Sequence, residues 1–82
     1  MPYKKVLQAE NVIIGTKQTV RALKSGHVLE VLLASDAEPR IIHPIIQVAE
    51  EVNVPITMVD SMRELGKACG IDVGATAAAI LI

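Results

Sequence analysis

The chain has 82 residues, 51% of them hydrophobic, which suits one compact domain with a single core. Tyr3 is its only aromatic residue, which argues against RNA platforms that stack bases on exposed Phe or Tyr and leaves Val, Ile, Leu and Ala to build the core. The net charge of −1 is polarised: Lys4, Lys5, Lys17, Arg21 and Lys24 stand against a single acid, Glu10, in the first 29 residues, and the remaining acids all follow, beginning at Glu30.

In chain order, Tyr3 to Glu10 reads as a short first helix. Asn11-Val12-Ile13-Ile14-Gly15 is an apolar run closed by glycine, the pattern of a buried strand. Thr16 offers an N-cap to a helix over Lys17–Lys24 that stops at Gly26. Val28 to Ala34, rich in branched apolar residues, is a second strand. Ser35-Asp36-Ala37-Glu38-Pro39 is a polar loop whose proline starts the next helix. Along that helix Ile42, Ile45, Ile46, Ala49 and Val52 recur at helical spacing, with Glu50 and Glu51 outward, until Asn53-Val54-Pro55 breaks it. Ile56 to Val59 is a third strand. Ser61 caps a helix with Met62, Leu65 and Cys69 on one side, and Gly70 ends it. Gly70 to Gly74 is a glycine-bounded loop, and Ala77 to Ile82 a closing strand without charge. Strands alternating with helices give an α/β fold, a three-layer α/β/α sandwich around a small four-stranded mixed sheet, in one domain over residues 1–82.

The most informative local feature is the passage strand–Gly15–Thr16–helix. Glycine lets another backbone come close, and the first helical turn presents free N–H groups at a positive dipole end. Lys17, Gln18 and Arg21 lie within one turn, with 17 and 21 on one face. Lysine and arginine reach phosphates or guanine edges, and glutamine both donates and accepts at a base. An ordinary solvated helix face is the competing reading. Ile71 and Val73, apolar residues in a glycine-flanked loop, either pack on an unstacked base or sugar or tuck back into the core.

Other chemistry is thin. GxGxxG is missing, and Gly66-Lys67-Ala68 lacks the flanking residues of a P-loop. His27 and His43 have no paired motif with Cys69, which sits on an apolar helix side as inert core; Met58 and Met62 read as packing. The acids show no metal-loop spacing, and one cysteine builds neither a disulfide nor a zinc pair. The start lacks the apolar core of a signal peptide, and Val73 to Ile82 is about half the ~20 residues of a membrane span. The expectation is a cytoplasmic, non-enzymatic protein without cofactor or metal.

Ile14-Gly15-Thr16-Lys17-Gln18-Thr19-Val20-Arg21 resembles the signature Gly-x-Asn-Glu-x-x-Lys of the kink-turn-binding ribosomal protein family (L7Ae/L30e-like). Asp36-Ala37-Glu38-Pro39 and the run Glu64 to Val73 resemble two further family segments in order and spacing, so the likeness spans nearly the whole chain. It is nearest to the bacterial YbxF-like branch, in which Lys-Gln replaces Asn-Glu.

The resemblance implies an α/β/α sandwich that binds kink-turns, RNA elements bent sharply by a bulge and tandem sheared G·A pairs, in ribosomal or riboswitch-type RNA. By position, Lys17, Gln18 and Arg21 would face the G·A pairs, with Gly15 and Thr16 admitting the RNA backbone. Glu38 would contact the extruded bulge nucleotide with support from Ile42, and Ile71, Asp72 and Val73 would pack over the bulge. Lys17-Gln18 in place of Asn-Glu removes a carboxylate, shifting weight from base-specific hydrogen bonds toward phosphate and salt-dependent binding. Arg21 in place of lysine adds a planar fork suited to guanine. The expected partner is structured RNA, bound by a monomer, with the ribosome as a further partner and neither DNA nor membrane. Two other classes remain open: a protein-interaction module on ribonucleoproteins with a weakened RNA site, and a small-anion binder or enzyme using the helix start.

Overall fold

The computed structural model describes residues 11–82; the expected helix over Tyr3–Glu10 lies outside them. Strand β1 (Val12–Ile14) leads into α1 (Thr16–Ser25), followed by β2 (Val28–Ala34), α2 (Pro39–Glu51), β3 (Ile56–Val59), α3 (Met62–Ala68) and β4 (Ala77–Leu81). The four strands form one mixed sheet in the order β1-β4-β2-β3. β4 is antiparallel to both β1 and β2, while β2 and β3 are parallel and joined across α2. Consequently β1, β2 and β3 all end at one edge of the sheet, and β4 begins there.

The two central strands explain the composition. Successive strand residues point to opposite faces, yet Val31, Leu32, Leu33 and Ala34 of β2 and Ala77, Ala78 and Ala79 of β4 are all fully buried. Both faces of the sheet are therefore covered, which makes the expected three layers. Alanines at the centre let the flanking layers approach closely, so leucines from the helices fill the space that aromatic rings would otherwise occupy. Leu23 of α1, Ile45 of α2 and Leu65 of α3 are 0–1% exposed; burial of each contributes about 1.5–3 kcal/mol. α1 packs against α2 and along β1, β2 and β4, and α3 packs on β4.

Local sequence accounts for most boundaries. α2 starts at Pro39, whose missing N–H costs nothing in a first turn, and Asn53 turns the chain out of it in a left-handed conformation. Pro44 lies inside α2 and withdraws one interior N–H, but the helix runs on because Ile42, Ile45 and Ala49 on either side are anchored in the core. Val52, expected on the apolar stripe, is 40% exposed because the helix has already ended at Glu51. In β2 the register shifts between Val28 and Glu30, a bulge that turns Leu29 out to solvent and Glu30 inward, where its carboxylate accepts a hydrogen bond from Thr57 Oγ1 of β3.

The Thr16 cap is the one boundary that differs in kind. Gly15 is the N-cap, and Thr16 is the first helical residue. Gly15 has φ 116° and ψ 155°, a region closed to residues with a Cβ, and this turn lets β1 pass into α1 without an intervening loop. Its N–H donates to Ala77 O of β4 (3.0 Å), and its carbonyl accepts from Thr19 N (3.0 Å), so one residue closes the sheet ladder and opens the helix.

Candidate nucleic-acid interface

The common edge at which β1, β2 and β3 end gathers four segments. Gly15 is tied to Ala77 at the start of β4, and Ala34 N donates to Thr76 O (2.9 Å) from the end of β2. Ser35 N donates to Val59 O (2.8 Å) and Ser35 Oγ to Asp60 O (3.1 Å), joining the loops after β2 and β3. Residues as many as 62 positions apart, Gly15 and Ala77, thus share one surface: the start of α1, the loop 35–38, the loop after β3 at Asp60 and the loop 70–76.

At the start of α1, Lys17, Gln18 and Arg21 are all exposed and Gly15 and Thr16 partly so. The amides of Thr16, Lys17 and Gln18 precede the first intrahelical bond, no side chain caps them, and the first turn holds no acid. Donors, dipole and cations therefore combine in one electropositive helix end. Gln18 folds back over Gly15, so closely that a Cβ at residue 15 would run into its carboxamide. The carboxamide thereby sits at the helix entrance, where it can offer both donor and acceptor.

The loop 70–76 is held from several directions. Gly70, in a left-handed conformation, donates to Lys67 O (3.0 Å), and Ile71 N donates to Gly66 O (3.0 Å), the paired bonds that close a helix C-terminus. Ala75 N donates to Met62 O (2.9 Å). Between these points the chain lies flat on α3, and any Cβ at Gly66 would collide with the carbonyl oxygen of Val73. The two readings of the loop's apolar residues divide between them. Ile71 packs partly buried on the core, whereas Val73 is 71% exposed and Asp72 is exposed beside it.

Of the remaining expected site residues, Glu38 is exposed and accepts a hydrogen bond from Arg40 Nε (2.7 Å). An ion pair this open is worth about 0–1 kcal/mol, so the carboxylate is readily released to another partner. Ile42 is buried in the core at 8% exposure, and its N–H donates to Glu38 O (3.3 Å). The loop 35–38 is itself fastened to α3: Asp36 Oδ1 accepts from Met62 N (2.8 Å), at the same helix start where Ser61 Oγ accepts from Glu64 N (3.1 Å).

Residues 2–82 match the model of the ribosomal protein L7Ae/L30e/S12e/Gadd45 family. The chain belongs to this family. Within it, the chain is 60% identical over 81 residues to an RNA-binding protein of Geobacillus sp. strain WCH70, and 59% identical over 81 residues to the RNA-binding protein YbxF of Geobacillus stearothermophilus. Both alignments cover 99% of each chain and place it in the YbxF-like branch. Among solved structures, the Giardia lamblia 15.5kD RNA binding protein superposes with a TM-score of 0.84 at 27% identity, covering 98% of this chain and 67% of that one.

Four residues of this L7Ae/L30e/S12e/Gadd45 family member escape sequence reasoning. Gly66, Asp36 and Arg40 act through partners from 2 to 26 positions away; Asp36 and Gly66 stand in segments that carry the family resemblance, but nothing in those segments marks the contacts they make. Lys24 had a local signal, since it follows Lys17 and Arg21 at helical spacing on an acid-free helix. Cys69 is partly buried, and burial raises its thiol pKa above the ordinary value, consistent with a packing role. Among the described residues no helix is long and apolar enough to cross a membrane.

Proposed function

We propose that this chain is a non-enzymatic RNA-binding protein whose target is kink-turn RNA in ribosomal or riboswitch-type transcripts, held by residues 1–82 acting as one domain. The observation that carries the reading is the convergence at one sheet edge of the acid-free start of α1, with Lys17, Gln18 and Arg21, and the clamped loop that exposes Val73. The names of the Geobacillus relatives, both RNA-binding proteins at about 60% identity, support the class of ligand.

The geometry suits a bent duplex better than a straight one. A-form RNA keeps its base edges in a deep, narrow major groove that side chains do not enter. A sharp bend with sheared G·A pairs opens that groove to a helix end. Gly15 and Thr16 then allow close backbone approach, Arg21 presents its fork to guanine O6 and N7, and Gln18 supplies a neutral donor and acceptor. Lys17, with no fixed geometry to match, adds charge toward phosphate. Val73 and Asp72 belong to the loop that is tied through Met62 to the loop carrying Glu38, and these two loops would receive the extruded nucleotide.

The test is a titration against a kink-turn RNA and the same RNA with its G·A pairs changed to Watson–Crick pairs. Tight binding to the first alone is the expected result. Equal binding to both, or none, refutes the proposal and favours a protein-interaction role for the same fold.

A further inference from the structure

The helix face that carries Lys17 and Arg21 continues beyond the sheet edge. Lys24 follows Arg21 by one turn, and all three line one wall of a groove of about 480 Å³ between α1 and α2. Val20, Ile41 and Ile45 form its floor, and no carboxylate lines it although acids outnumber bases in the chain. None of the three cations forms an ion pair within the described residues. At a rise of ~1.5 Å per residue, Lys17 to Lys24 spans about 10 Å of helix, with cations spaced at intervals comparable to successive phosphates along a strand.

We infer that this groove carries the sugar–phosphate backbone of the duplex flanking the bend, with Lys24 as a phosphate contact outside the base-reading site. The inference rests on the proposed RNA reading and extends its footprint along α1. Charge complementarity selects the occupant: an uninterrupted basic wall, continuous with the helix end that meets the bases, fits a polyanion running out of that site. The uncharged floor accommodates ribose faces between phosphates. Lys24 also lies in the last turn of α1, where a cation favours the helix dipole, so the test must read more than stability.

The experiment compares the wild-type chain with K24Q, an exposed substitution, on a kink-turn RNA with full helices on both sides and on one trimmed beside the bend. Each phosphate contact contributes about 0.7–0.9 to the slope of log affinity against log salt. The advantage of wild type over K24Q on the full RNA should therefore shrink about threefold between ~50 and ~200 mM salt. On the RNA with the contacted helix trimmed the advantage should vanish, and discrimination between sheared and Watson–Crick pairs should be the same for both proteins. An unchanged salt slope overturns the inference and leaves the groove to an acidic protein segment. An equal loss on both RNAs also overturns it, by placing Lys24 at the bend itself. If wild type fails to distinguish the sheared pairs, the proposed function falls first and this inference with it; a slope unchanged in a discriminating wild type removes the inference alone.

Discussion

Gly66→Ala isolates the contact on which the C-terminal loop depends. Gly66 is helical and buried in α3, so helix propensity by itself favours alanine by about 1 kcal/mol. The opposing term is steric. The new Cβ meets backbone rather than a flexible side-chain end: the Val73 carbonyl oxygen in collision, Val73 C at 3.1 Å and Gly74 Cα at 3.2 Å. Overpacking of this kind costs roughly 1–3 kcal/mol. The loop must lift, and it is held by Ile71 N to Gly66 O and Ala75 N to Met62 O, each worth about 0.5–1.5 kcal/mol. Loss of one of them plus the overpacking, less the propensity gain, leaves a destabilisation of about 0.5–3.5 kcal/mol. For a domain of this size each 1 kcal/mol lowers Tm by roughly 4–8 °C. Thermal and urea unfolding of G66A beside an exposed control on the same helix, Arg63→Ala, measure the effect. Because Val73 moves with the loop, RNA affinity should fall as well. A Tm equal to or above wild type would refute the reasoning, since it would mean that the loop yields without cost and that Gly66 is an ordinary helical position.

Arg21→Ala should cost about 1–3 kcal/mol of binding to a kink-turn RNA, the range of a base-contacting arginine, with Tm nearly unchanged because the side chain is exposed; a fluorescence titration reads it. Asp36→Ala removes the acceptor of Met62 N and should destabilise by about 0.5–2 kcal/mol in urea unfolding, the range for loss of a helix cap. Cys69 has its thiol pKa raised by burial, so native protein should alkylate with iodoacetamide more slowly than urea-unfolded protein at pH 8. The sign for stability follows: the neutral thiol is favoured in the fold, so its contribution is complete below the unfolded pKa and is lost as pH rises through the higher folded one. A C69S variant should lose that part of the alkaline decline.

How far the sequence was legible depends on the range of the signal. β2 and β3 coincide with the expected spans of Val28–Ala34 and Ile56–Val59, because branched apolar runs bounded by glycine, proline and polar turns act locally. Ser61 caps α3 as expected for the same reason. Thr16 had the right chemistry for a cap, but Gly15 adopts a conformation available to no other residue type and takes that place one position earlier. The start of α1 was readable as a candidate site because Lys17, Gln18 and Arg21 are neighbours along one helix. The division between Ile71 and Val73 was not, since it depends on how the loop lies across Gly66, and nothing in spacing reveals that approach. Likewise the pairing of Asp36 with Met62 crosses 26 residues, and only the sheet order brings those loops together.

The most direct test of the central claim, that RNA is held at the sheet edge where α1 begins, is amide NMR of the labelled chain titrated with a kink-turn RNA. The expected result is that the largest shifts fall on residues 15–21 and 70–74, with Ile56 and Thr57, at the end of β3 away from that edge, nearly unmoved. Largest shifts on Ile56 and Thr57, with Gly15 to Arg21 unchanged, would contradict the account.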